Sequence, residues 1–78
     1  MDSLEDVILK IVCEYSRAID LHPYWPDDII HAVSIMNEES GESIRAALNY
    51  EYEDQSIEEI KKEVIQTAAM CIRVLVNL

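Results

Sequence analysis

Between Leu4 and Ile19 apolar residues recur every three or four positions, at Leu4, Val7, Ile8, Ile11, Val12, Tyr15, Ala18 and Ile19. That spacing collects side chains on one side of a helix. Ser3 precedes the run with Asp6 three places on, a capping-box pattern that starts a helix, so one is predicted from about Ser3 to Leu21. It ends at His22-Pro23-Tyr24-Trp25-Pro26-Asp27, because proline lacks the amide hydrogen that helix propagation needs. A second run, Ile29, Ile30, Val33, Met36, Ile44, Ala47 and Leu48, predicts a helix from about Asp27 to Glu51, with Asp27 or Asp28 favouring its N-terminus. Gly41 lies inside it and costs about 1 kcal/mol relative to alanine. The apolar period nevertheless continues in phase beyond Gly41, so one continuous helix is expected.

After the polar stretch Glu51-Tyr52-Glu53-Asp54-Gln55, Ser56 and Glu59 repeat the capping-box pattern. A third helix is predicted from about Ile57 to Asn77, where Ile60, Val64, Ile65, Ala68, Cys71, Ile72, Leu75 and Val76 cover more than half the circumference. With no alternating period and no repeat, the fold class is all-α: a single domain, residues 1–78, of three helices. One face of the third helix has the other two helices to meet, and the remainder needs another subunit. A chain this short buries only about 60% of its unfolded surface, yet 50% of its residues are hydrophobic. The expected architecture is therefore a helical bundle completed by oligomerisation, as a homodimer or tetramer.

Six basic residues stand against sixteen acidic ones, a net charge of −10. This balance argues against a nucleic-acid backbone or an anionic membrane surface as the partner and favours cations or basic partners. No apolar run approaches the roughly 18 residues of a membrane span, and Met1-Asp2 begins without the basic flank of a signal peptide. Cys13 and Cys71 have no metal-ligand spacing and are expected as reduced, buried thiols of a cytoplasmic protein.

The acidic residues change the picture most where they interrupt the apolar arc. Counted from Ile29, Glu39 falls at about 280°, between Ile35 and Ala46 on one side and Ala32 and Tyr50 on the other. An unpaired charge buried there costs several kcal/mol or more, so Glu39 needs a partner. Glu42 follows at i+3, and downstream Glu63 and Gln66 form a second i, i+3 pair at the edge of an apolar arc. Carboxylate and amide oxygens converging from two helices suit Mg²⁺, a hard cation that keeps waters and binds substrate phosphates.

In Glu38-Glu39-Ser40-Gly41-Glu42, twenty residues of spacer and Glu63-Val64-Ile65-Gln66, the chain resembles the MazG-like all-α nucleoside triphosphate pyrophosphohydrolases. Their signature is Glu-Glu-x-x-Glu, a spacer, then Glu-x-x-Asp. The resemblance runs from about Ile29 to Leu75 and departs from the signature at Gln66, which removes one negative charge and keeps a carbonyl oxygen. It implies hydrolysis of a nucleoside triphosphate to a monophosphate and pyrophosphate, dependent on Mg²⁺ (or Mn²⁺), in a dimer or a dimer of dimers. By motif position Glu39, Glu42 and Glu63 are metal ligands and Gln66 a weaker fourth, while Glu38 orients or deprotonates the attacking water.

The few basic residues bear on such a substrate. Lys62 and Arg73 fall about 20° apart on the third helix, and Arg45 is the corresponding cation on the second. Each is a phosphate contact or a partner for nearby glutamates such as Glu42 and Glu59. Trp25 stacks on a base or plugs the end of the bundle. His22 and His31 have no partner histidine at ligand spacing and read as structural. Two other readings stand beside an enzyme: a binding module whose metal site Gln66 has weakened, and an acidic protein that occupies a basic partner.

Overall fold

Three capped helices make up most of the chain in the computed structural model, which describes residues 2–78. Helix α1 spans Leu4–Leu21, α2 Ile29–Tyr52 and α3 Ile57–Val76. At the start of α1 the capping box is closed in both directions: the Asp6 amide donates to the Ser3 hydroxyl at 3.1 Å, and the Ser3 amide donates to the Asp6 carboxylate at 3.2 Å. Asp28 caps α2 by accepting from the His31 amide at 2.8 Å, so this helix begins with its apolar run at Ile29, two residues after the expected Asp27. At α3 the Ser56 hydroxyl accepts from the Glu58 amide at 3.0 Å, which caps the helix without the reciprocal bond expected from Glu59.

Helix α2 runs unbroken through Gly41, where a Cβ would meet nothing within 4 Å. Neither a break nor a close backbone approach explains this glycine. The connection between α2 and α3 turns at Asp54, whose φ of 57° lies in the left-handed region. Aspartate enters that region more readily than most residues, since its short polar side chain bonds locally. The Gln55 amide closes the turn on the Asn49 carbonyl at 3.2 Å.

Helix α3 lies between the other two, and no Cα of α1 comes within 8 Å of one in α2. Its two neighbours are held by different chemistry. Toward α2, the half-buried Ser43 and Thr67 hydroxyls meet at 3.1 Å. Toward α1, the Arg73 guanidinium donates to the carbonyls of Ala18, at 3.4 Å, and His22, at 2.6 Å. These pairings, with Lys10 and Lys62 bordering a common groove, make α1 parallel to α3 and α2 antiparallel to it.

Buried apolar positions are few and small: Ala18, Ala32, Ala46, Ala69 and Val74. Alanines at the crossings let helix axes approach closely, but no large side chain is fully enclosed. Cys13 is exposed and Cys71 half-buried, both as free thiols, so the expectation of buried thiols fails at Cys13. No helix among the described residues is long and apolar enough to cross a membrane.

Arg73 is 4% exposed and lies 4.6 Å from the centroid of the Trp25 ring. The last turn of α1 contains no basic residue of its own, and its carbonyls carry the negative end of the helix dipole. Because α1 and α3 are parallel, one cation near the end of α3 serves both C-termini. Arg73→Ala is expected to cost about 1.5–3 kcal/mol, the range for hydrogen bonds to a charged group. Arg73→Lys should recover only part, because an ammonium cannot span two carbonyls while stacking on an indole. Urea unfolding at fixed protein concentration, followed by Trp25 fluorescence, checks both.

Candidate functional site

The Ser43 and Thr67 contact sets the register of the acidic residues. Each hydroxyl lies four residues after a glutamate of interest, Glu39 on α2 and Glu63 on α3, and therefore one turn along the same face. The Thr67 hydroxyl donates to the Glu63 carbonyl at 2.9 Å. The Ser43 hydroxyl faces the Glu39 carbonyl in the same way, at 3.4 Å, and each hydroxyl has one hydrogen to share between its own helix and the contact across the pair. Glu39 and Glu63 are thereby brought to the α2–α3 boundary, and both are half-buried.

No cation among the described residues compensates them. The ion pairs lie elsewhere, at Lys10 with Asp2 (2.7 Å), Arg17 with Glu14 (2.8 Å) and Lys61 with Glu58 (3.6 Å). The Oε2 atom of Glu63 is enclosed and has no hydrogen-bond partner. Burial holds the Glu39 carboxyl above its ordinary range, and Glu42, Glu63, Glu14 and Glu38 push in the same direction. A half-buried carboxylate that feels four others and no base is costly to ionise.

The predicted ligands border two neighbouring grooves rather than one. Glu42 and Glu63 line a cleft of about 150 Å³ with Arg45, Asn49 and Glu59. Glu39 and Gln66 line a second, of about 130 Å³, with Glu14, Arg17, His22 and Met70. Among the described residues no three acidic, histidine or cysteine side chains are drawn together closely enough to hold a metal ion. The predicted convergence of Glu39, Glu42, Glu63 and Gln66 on one cation is thus absent from this arrangement of side chains. As a donor set they still fit a hard dication: every donor is oxygen, and one carboxylate oxygen is buried without a partner. Glu42 and Glu38 are exposed on long side chains, so neither is locked away from the boundary.

Two residues beyond the predicted set face these grooves. Glu59, four residues before Glu63, completes a carboxylate trio around the first cleft, although its capping-box position suggested a local role. Glu14 contributes to the second and feels Glu39 across it. Its signal in the sequence was its place four residues before Ala18, a buried position on the same face of α1.

The cations sort differently from the prediction. Arg45 is exposed on the border of the cleft that holds Glu42 and Glu63. Lys62 is exposed beside Gln66. Arg73 is removed from the candidate phosphate contacts, since it is buried and its two donor arms hold the carbonyls of Ala18 in α1 and of His22, the residue that caps it. Trp25 is half-buried beneath that guanidinium, the bundle-end role rather than a free stacking platform. His22 provides the carbonyl that Arg73 binds, and His31 donates its backbone amide to Asp28.

No family model matches this chain, and no curated protein or solved structure is significantly similar to it.

The raised Glu39 carboxyl has a consequence for pH. Its folded-state pKa lies above its unfolded value, so its favourable contribution is fully present below about pH 4.5, the ordinary value. It is lost as pH rises through the folded pKa. At neutral pH without divalent metal, Glu39→Gln is therefore expected to melt higher than wild type, and the difference should vanish toward pH 4. Paired melting curves across that range, at one ionic strength, check the sign.

Proposed function

We propose that the acidic boundary between α2 and α3 is a Mg²⁺ site and that the chain is a MazG-like nucleoside triphosphate pyrophosphohydrolase, releasing a monophosphate and pyrophosphate. The observation that carries this reading is the enclosed, unpartnered Glu63 Oε2, together with a Glu39 carboxyl that burial, and then its neighbouring carboxylates, make costly to ionise. Protein interiors rarely leave such an oxygen without a partner, and an oxygen-seeking cation satisfies it and relieves the like-charge repulsion together.

Glu39, Glu42 and Glu63 hold the ion, with the Gln66 side-chain oxygen as a neutral fourth donor and Glu59 within the same cleft as Glu63. When bound, the ion supplies neutralisation of triphosphate charge and acidification of a water. A chain of net charge −10 repels a triphosphate at distance, so local cations matter. Arg45 meets the phosphates at the border of the first cleft, and Lys62 extends the positive edge beside Gln66. Glu38, exposed and adjacent to Glu39, accepts the proton of the attacking water. The reading includes self-association, a homodimer or a tetramer, and a cytoplasmic setting.

The dispersed ligands favour one variant of this reading, a domain that binds metal and nucleotide with little turnover, because the side chains must gather before an ion is held. A panel of nucleoside triphosphates with pyrophosphate detection separates the two. Mg²⁺ at a hundredfold excess over its Kd is expected to stabilise the fold by about 2.7 kcal/mol. Glu39→Gln and Glu63→Gln should abolish that effect. Glu38→Gln should keep it and lower pyrophosphate release by about 10²–10⁴-fold, the usual contribution of a general base. Gln66→Asp should tighten metal binding and destabilise the metal-free chain, opposite signs that an acidic surface without a site does not produce. Equal melting of wild type and the Gln variants with and without Mg²⁺ would remove the metal site, and release of no pyrophosphate from any triphosphate would remove the hydrolase.

A further inference from the structure

Both acidic grooves lie on one side of the three helices, and the other side is apolar on all of them. On α3, Ile57, Val64, Ala68 and Leu75 fall within about 40° of one another and roughly opposite Glu59 and Gln66. On α1, Ile8, Val12 and Ile19 lie roughly opposite Glu14 and Arg17; on α2, Ile29, Val33, Ile44 and Ala47 lie roughly opposite Glu42 and Asn49. Val64 is 49% exposed, Ile44 64% and Leu75 70%. The ionisable residues on these lines, Glu5, Glu51 and Lys61, belong to the first two turns of α1 and α3 and the last turn of α2. Those residues gather at one end of the molecule, where Val64 also borders a groove with Asp2, Lys10, Glu58 and Lys62, and beyond that end the three lines carry no charged residue.

The exposed area measures what is missing. A folded monomer of this mass, 9.0 kDa, is expected to expose about 4,900 Å². This chain exposes 5940 Å², an excess on the order of 1,000 Å². Twice that, about 2,000 Å², is the size at which obligate homodimer interfaces begin. With no large side chain fully buried, the chain depends on its cover for a core, so the cover must be present whenever the chain is. A second copy meets that condition and a transient partner does not. An uncharged side is also where two chains of net charge −10 can meet with least repulsion.

We propose that two copies pair through this side about a twofold axis, giving a six-helix dimer with a shared apolar core. Its acidic grooves face outward, each lined by residues of one chain. This deepens the self-association in the proposed function but does not depend on metal. Sedimentation of the full chain between 1 and 100 µM tests it, on wild type, Val64→Glu, Ile44→Ser and Leu9→Glu. Leu9 is equally apolar and exposed, but borders the groove with Lys62 and Gln66. Wild type and Leu9→Glu are expected at twice 9.0 kDa, with a melting midpoint that rises with concentration. Val64→Glu should weaken association by at least about tenfold, and the milder Ile44→Ser, which is less prone to unfold outright, should weaken it in the same direction. A wild type that sediments as a 9.0 kDa monomer and melts independently of concentration overturns the proposal, as does a dimer that Val64→Glu and Ile44→Ser leave intact. Repeating the runs with EDTA and on Glu63→Gln separates this result from the metal site. A dimer insensitive to both upholds the pairing whatever becomes of the hydrolase, and a dimer that dissociates with EDTA ties the pairing to metal and overturns its independence.

Discussion

Everything in this fold depends on α3 serving two neighbours that do not serve each other. Because α1 and α2 share no close backbone contact and meet only across the small cleft of Glu14 and Glu39, each helix is positioned chiefly by what α3 offers it. Toward α2 that is an alanine crossing and one hydroxyl pair; toward α1 it is a buried arginine. The arginine is the less replaceable. Its charge answers the unsatisfied carbonyls at the end of α1, and its planar face covers Trp25 from the preceding loop. One side chain thereby fixes a helix end, a loop and the parallel alignment of two helices.

The same arrangement positions the acidic boundary. Ser43 and Thr67 are small enough to let α2 and α3 approach and polar enough to set the register. Register then determines which carboxylates share a groove. Glu63 and Glu42 fall to one side of the contact and Glu39 and Gln66 to the other, close enough for Glu39 to feel its neighbours. Like charges stand at this half-buried boundary, and the arginines that border it, Arg45 and Arg17, form no ion pair with Glu39 or Glu63. A purely structural surface has no reason to keep such a cluster, since replacing one partner by an uncharged residue relieves it. That tension, rather than any likeness to a known protein, supports a cation-binding reading.

The apolar side presents a complementary constraint. Sequence and structure place hydrophobic residues on positions that the chain alone cannot cover, while the polar residues gather on the groove side. A chain divided in this way keeps its acidic grooves and its apolar side apart, so that changes on one need not disturb the other.

The helices were legible in the sequence because their causes are local. The apolar period, the serine and aspartate caps and the prolines act within a few residues of where they stand, and the three helices begin and end within two residues of the positions these signals indicate. The burial of Glu39 was legible for the same reason, as an azimuth on one helix. What one helix cannot specify is how it meets another. Arg73 shares an azimuth with the exposed Lys62, and nothing in its own helix distinguishes a phosphate contact from a cap on α1; the parallel alignment of α1 decided it. The predicted convergence of four ligands likewise assumed a register that only the Ser43 and Thr67 contact could set. Local periodicity and capping chose the elements because their energies act between near neighbours in the chain. The pairing of distant side chains, which assigned Arg73, divided the acidic residues and left one side bare, depended on the tertiary structure because no sequence-local energy contains it.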